Sequence, residues 1–317
     1  MKAVRIHQYG SLEQVALEEI ATPRIAADEV LVRLEAASVN PLDLKLISGH
    51  MQAYFPLTLP YTAGTDLAGT VVEAGALASP WQPGDRVFAR LEPGPGEGPE
   101  FSRGGAFAGL VAVPAKHLAA APKSLELTSA AGLPTAAGTA WQALFEIAQL
   151  TAGQSVLIHA GAGGVGSFAV QLAKRAGARV FATASAGNAA LVRKLGADEV
   201  IDHRTDQFEE RVGDLDLVLD TIGGEVQLRS YQVLKKGGQL VTLTMPPDQE
   251  LASQHGVTAR WFGHTSSAAR LALLAGLCDE GALRVVIDST HPLTDIRAAL
   301  ERSASGRARG KILLTDT

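Results

Sequence analysis

The chain carries two hydrophobic rhythms. Over the first 120 or so residues, apolar positions alternate with polar ones at 1–7 and 29–37 (EVLVRLEAA), and 70–74 and 85–89 are short strand candidates. That period puts apolar side chains on one face of a half-buried strand. Pro83-Gly84-Asp85 marks a turn before the last run. Residues 92–105 are rich in Gly and Pro and poor in apolar side chains, which predicts a long loop.

Near Pro122 the texture changes. Residues 129–150, rich in Ala and Leu, predict a helix interrupted around Pro134 and Gly138. Strand patterns at 155–159, 179–183, 199–202, 215–220 and 239–243 then alternate with helical ones at 165–176, 189–195 and 228–234. Such alternation predicts a parallel sheet covered on both faces. A helix at 266–279 and a strand at 311–314 follow. The fold class is therefore α/β: a β-rich part followed by a doubly wound parallel sheet.

A length of 317 residues suggests about two domains. Hydrophobic residues make up 46% and charged residues 19%, which excludes disorder as the dominant state. The net charge of −5 argues against nucleic acid or an anionic membrane as partner. Cys278 is the only cysteine, so neither an intramolecular disulfide nor a cysteine zinc cluster can form. With no signal-like run near Met1 and no apolar stretch of about 18 residues, the expected location is the cytoplasm.

The run His159-Ala160-Gly161-Ala162-Gly163-Gly164-Val165-Gly166 follows a predicted strand and opens a predicted helix. It contains G-x-G-x-x-G in the context that gives the pattern meaning. Glycine permits the tight turn, lets backbone approach a pyrophosphate, and lets helix and strand pack closely. The helix N-terminus then offers amides and partial positive charge to phosphates. After the next strand, Thr183-Ala184-Ser185-Ala186-Gly187-Asn188 contains no acid of the kind that bonds the ribose of NAD. Ser185 and Asn188 are either donors to a 2′-phosphate or caps of the helix expected from 189, and Arg204 follows the third strand. The absence of an acid favours NADPH.

Further motifs lie in order along the chain: Ser38-Val39-Asn40-Pro41-Leu42-Asp43, Pro60–Gly69 (PYTAGTDLAG), Trp81–Val87 (WQPGDRV), Gly104-Gly105-Ala106-Phe107, Leu133-Pro134 with Gly138-Thr139-Ala140-Trp141, Asp220-Thr221-Ile222-Gly223-Gly224 and Gly310-Lys311. With the glycine loop, they resemble the zinc-independent quinone oxidoreductase branch, which includes zeta-crystallin, of the medium-chain dehydrogenase/reductase superfamily. The resemblance spans nearly the whole chain. It implies a GroES-like catalytic domain over 1–121, a Rossmann domain over 122–282 and a return to the catalytic domain over 283–317, with the active site in the cleft between domains.

Zinc-dependent relatives place a Cys at or beside the position of Asn40 and a His-Glu pair at Thr65-Asp66, so no metal is expected. The resemblance sets Asn40 beside the nicotinamide and the substrate oxygen, with Asp43 holding its loop. Tyr54 and Tyr61 are the nearest phenols in sequence and are read either as proton donors or as packing. The resemblance also implies cofactor contacts from Thr139, Thr221, Thr242, Leu243 and Phe262. Arg309 and Lys311 are read either as a cofactor contact or, preferably, as a solvated strand edge. Many relatives that use NADPH carry a lysine or arginine where Ala186 and Gly187 stand here.

The expected activity is hydride transfer from NADPH to a quinone or α,β-unsaturated carbonyl, and the resemblance implies a homodimer, commonly formed through the strand near 239–243 as an edge strand. The alternatives are an alcohol or aldehyde dehydrogenase, or a crystallin-like protein that binds nucleotide or RNA without turnover.

Overall fold

The structure is a computed structural model that describes residues 1–94 and 104–316. Most of the loop expected at 92–105 lies outside the described residues. Internal contacts divide the chain into two units. One comprises Met1–Thr135, Thr265–Gly281 and Val285–Thr317, the other Ala136–His264 and Ala282–Arg284. This division differs from the expected boundaries at 121 and 282. Helix Ala268–Asp279 groups with the first unit because it packs on strand Leu118–Ala120, and the Asp279 carboxylate accepts the Ser124 amide at 2.8 Å.

The first unit is built on strand Glu29–Val39, which pairs antiparallel with Asp66–Ala74, Leu110–Pro114 and Lys311–Thr315. Strands Arg86–Arg90 and Leu118–Ala120 extend the sheet on one side and Ile287–Pro292 on the other. A smaller sheet joins Val15–Glu19, Lys2–Ile6 and Tyr61–Thr62. Val30, Val32, Leu34, Leu67, Val71, Phe107 and Leu314 share the core. The strands at 15–19, 110–114, 118–120 and 287–292 are not marked by the alternation in the sequence.

The second unit carries six parallel strands. Across the sheet they run Glu199–Asp202, Arg179–Ala184, Ser155–Ile158, Leu215–Asp220, Leu234–Thr242 and Thr258–Trp261. Numbered in chain order this is 3-2-1-4-5-6, with its topological switch beside the first strand. Helix Gly164–Arg175 is buried on all sides through its middle, from Gly166 to Ala173, including Phe168, Val170 and Leu172. Leu157, Phe181, Ile201, Val218 and Leu240 fill the interior of the sheet.

Gly138 does not interrupt a helix. It sits within Pro134–Trp141, where a β-carbon would come 2.7 Å from the His264 ring. The break before that helix falls where Pro134, which cannot bond back to a preceding turn, opens it. The helix expected from 189 begins earlier, at Ala186, so Asn188 lies inside its first turn and Ser185 takes the N-cap position. The strand expected at 239–243 is flanked on both sides. The sheet edge is Thr258–Trp261, which the sequence pattern misses because only Ala259 in it is buried.

Candidate functional site

In the second unit, strand Ser155–Ile158 ends at the buried His159, and the chain turns through Ala160–Gly163 into helix Gly164–Arg175. Ala160 adopts φ 52°, and its amide donates to Thr183 Oγ1 at 3.1 Å. A β-carbon on Gly161 would stand 2.8 Å from that of Ala182, and one on Gly166 would collide with the Ala160 carbonyl. These two glycines let the turn close against its own helix and the neighbouring strand. The backbone of Ala162, Gly163, Gly164 and Val165 forms the rim, at the helix end whose first amides lack intrahelical acceptors. This is a cradle of the shape and polarity that fits a pyrophosphate.

His159 braces the turn from below. Its ring lies 3.2 Å from Thr183 Oγ1 through Nδ1 and 2.9 Å from Ser230 Oγ through Nε2, with Phe208 edge-on. Burial pulls its pKa down to about 4, so the ring is neutral at physiological pH. Thr221 Oγ1 donates to the His159 carbonyl at 2.9 Å. The Asp220 carboxylate accepts the amides of Ile222 and Gly223, the Gln227 side chain and the hydroxyl of Thr242. Thr242 is therefore spent at the carboxyl end of an interior strand, where it and Asp220 fix the backbone at Leu243, whose amide donates to the Asp220 carbonyl. Thr139 is buried on helix Pro134–Trp141, and Phe262, half-buried, follows the edge strand.

At the end of strand Arg179–Ala184 the structure adds an acid that the local sequence lacks. Ala184 pairs with Asp202 of the adjacent parallel strand. The Asp202 carboxylate accepts the Ala186 amide at 3.1 Å and the Arg204 amide at 3.0 Å. Ser185, although at the N-cap, makes no side-chain capping bond. Arg204 is exposed.

In the first unit, Asn40 and Asp43 are hydrogen-bonded, the charge of Asp43 acts on the buried Tyr61, and Tyr54 is 65% exposed. Asn40 caps helix Pro41–Ile47, and its amide donates to Asp43 Oδ2 at 2.7 Å. Its Nδ2 lies 2.9 Å from Asp66 Oδ2, 3.2 Å from Thr65 Oγ1 and 3.3 Å from the Ser38 carbonyl. Its Oδ1 accepts from Lys311 Nζ at 2.6 Å. Thr65 Oγ1 donates to Asp43 at 3.3 Å, and Thr135 donates to Asp66 through its hydroxyl at 2.6 Å and through its amide. Every member of this network is buried except Thr135.

The expectation of a solvated edge is wrong for Lys311. Its strand is flanked by Ile287–Pro292 and Glu29–Val39, which close over it. Burial lowers the Lys311 pKa and raises those of Asp66 and Asp43, the last to about 7. One ammonium faces two carboxyls, and burial disfavours the charge on both of them. Burial, reinforced by Asp43, raises the Tyr61 phenol and keeps it protonated. Lys311 had one sequence signal: it is the single charge in its strand, which it opens, whereas the strand opened by Asp66 also carries Glu73.

Residues 26–123 match the family model described as alcohol dehydrogenase GroES-like domain, and residues 195–314 match that described as zinc-binding dehydrogenase. The chain is 35% identical to an NADPH-dependent alkenal/one oxidoreductase, chloroplastic, of Arabidopsis thaliana, over 99% of this chain and 79% of that one. Among solved structures, the quinone oxidoreductase from Coxiella burnetii is 31% identical, covers 100% of this chain and 99% of its own, and superposes with a TM-score of 0.89. The Escherichia coli quinone oxidoreductase complexed with NADPH is 25% identical, with 99% and 100% covered and a TM-score of 0.88. Matched along nearly its whole length by both sequence and fold, the chain belongs to the quinone oxidoreductase branch of the medium-chain dehydrogenase/reductase superfamily.

Proposed function

We propose that this oxidoreductase uses NADPH to reduce a quinone or an α,β-unsaturated carbonyl, and does so without zinc. The observation that carries the zinc-free reading is the saturation of Asn40 and Asp66. The positions where zinc-dependent relatives keep ligands are here bonded to one another and to Lys311, whose ammonium disfavours a second cation.

Gly161, Ala162, Gly163, Gly164, Val165 and Gly166 would hold the pyrophosphate, and Ser185, Asn188 and Arg204 the 2′-phosphate. Thr139, Thr221, Leu243 and Phe262 would position the nicotinamide, with Thr242 acting through Asp220. When bound, NADPH supplies a hydride. The chain's part is placement and the exclusion of water.

Asn40 has only two carboxamide hydrogens, and three protein acceptors already surround them. Asn40 is therefore a positioning residue rather than a donor to substrate. Together with Asp43, it holds the start of helix Pro41–Ile47. Tyr61, buried beside this network where Tyr54 is exposed, is the phenol proposed to donate a hydrogen bond to the acceptor oxygen as negative charge grows there. The partner is a small-molecule acceptor, with neither nucleic acid nor membrane involved. The second copy of a homodimer would pair along the edge strand Thr258–Trp261, and the expected location is cytoplasmic.

The test is NADPH oxidation by the purified protein with a small para-quinone and a conjugated enone, alongside elemental analysis. Turnover with either acceptor and less than about 0.1 zinc per chain is expected. Stoichiometric zinc, with alcohol oxidation lost on chelation, would overturn the reading in favour of an alcohol dehydrogenase.

A further inference from the structure

We propose that Asp202 is a specificity-determining residue that restrains selection for the 2′-phosphate of NADPH, an inference resting on the reading of 161–166 as the dinucleotide cradle. In a sheet of this order, ligands lie outside the carboxyl ends of the strands, and the residue ending the strand after the glycine loop reads the adenosine ribose. Here that strand ends at Ala184-Ser185. Both residues are neutral, so the local sequence offers no charge to a 2′-substituent.

The parallel register supplies one from the next strand. Ala184 pairs with Asp202, and the carboxylate reaches the first amide of helix Ala186–Leu195. It does the capping that Ser185 leaves undone. A free acid at this edge would grip the ribose hydroxyls and select NAD. Asp202 is not free in that way, because one of its oxygens accepts from Ala186 and the other from Arg204. Its hydrogen bonds are spent, but its charge remains. That charge opposes a phosphate dianion and weakens the anion-binding end of the helix by neutralising its leading amide. The exposed guanidinium of Arg204, two residues on, opposes it in turn. Selection for NADPH is thus a balance between Arg204 on one side and Asp202 on the other.

The experiment measures binding of adenosine 2′,5′-bisphosphate and of adenosine 5′-monophosphate by calorimetry. These probes differ only in the 2′-phosphate, and the readout needs no turnover. The wild type is compared with Asp202→Asn, Asp202→Ser and Arg204→Gln. Asn keeps an acceptor for the Ala186 amide, and Ser removes the charge with a shorter side chain, so either variant suffices if the other fails to fold. Removing the charge is expected to tighten bisphosphate binding by about five- to tenfold at low salt, on the scale of one partly screened charge pair. Monophosphate binding should stay within about twofold, and the gain should shrink at high salt. Arg204→Gln should weaken the bisphosphate alone. An unchanged affinity ratio in a folded Asp202 variant overturns the role of Asp202 and leaves the cradle standing. A wild type that binds neither probe overturns the cradle, and the proposal falls with it.

Discussion

Lys311 Nζ lies 2.6 Å from Asn40 Oδ1, and both side chains are buried. The strand register brings them together, since Ile312 stands opposite Val39 across an antiparallel pair and so sets Lys311 opposite Asn40. Through Asn40 the ammonium is joined to Asp66, and its field also reaches Asp43. Removing one member of such a buried group leaves an uncompensated charge.

Lys311→Met should therefore destabilise the protein by about 3–5 kcal/mol, the range for breaking a buried ion pair from one side. Adding Asp66→Asn to it should recover part of the loss, because the carboxylate left unpaired is then gone. Denaturant unfolding of the two single variants and the double checks this. Strictly additive losses would show that the charges are not coupled.

Asp43 should make stability pH-dependent in a defined window. Burial raises its folded pKa from 3.8 to about 7. Between those values the folded chain keeps a proton that the unfolded chain has released, so this group's contribution grows as pH falls from about 7 towards 4 and levels off below. Asp43→Asn removes the titration. The stability difference between wild type and variant should change with a slope approaching 1.4 kcal/mol per pH unit inside that window and be flat outside it. Parallel stability curves across the window would contradict the assignment.

Two Gly→Ala substitutions should act in opposite directions. In Gly166→Ala the new methyl meets the Ala160 carbonyl, so the turn must open, with loss of nucleotide binding and about 1–3 kcal/mol of stability. In Gly276→Ala, inside helix Ala268–Asp279, nothing lies within 4 Å of the added carbon. That change should stabilise by about 0.5–1 kcal/mol through helix propensity. Thermal unfolding and nucleotide titration of both variants decide the matter.

The two phenols should separate in kinetics. Tyr61→Phe should lower kcat by about 100-fold with an enone acceptor if its hydroxyl donates the proton. Tyr54→Phe, at an exposed position, should stay within about twofold. Equal effects from both substitutions would remove Tyr61 from the chemistry.

Much of this protein was written in local pattern. The alternation at 29–37 and the β-α rhythm from 155 to 243 marked the central strands and helices, because side chains facing a core must repeat with the period of their element. The glycine loop was legible for a similar reason: a turn with no room for β-carbons accepts only glycine at Gly161 and Gly166. What local pattern could not reveal was proximity between distant segments. Lys311 and Asn40 are 271 residues apart, and a lysine opening a strand looks solvated until strands on both sides cover it. Asp202 belongs to a different strand from the turn it caps, so the absence of an acid at 183–188 was true of the sequence and untrue of the site. The edge strand Thr258–Trp261 has a single buried residue, too weak a signal to read alone. Periodicity records which face of an element is buried, and only the folded sheets decide which charges meet there.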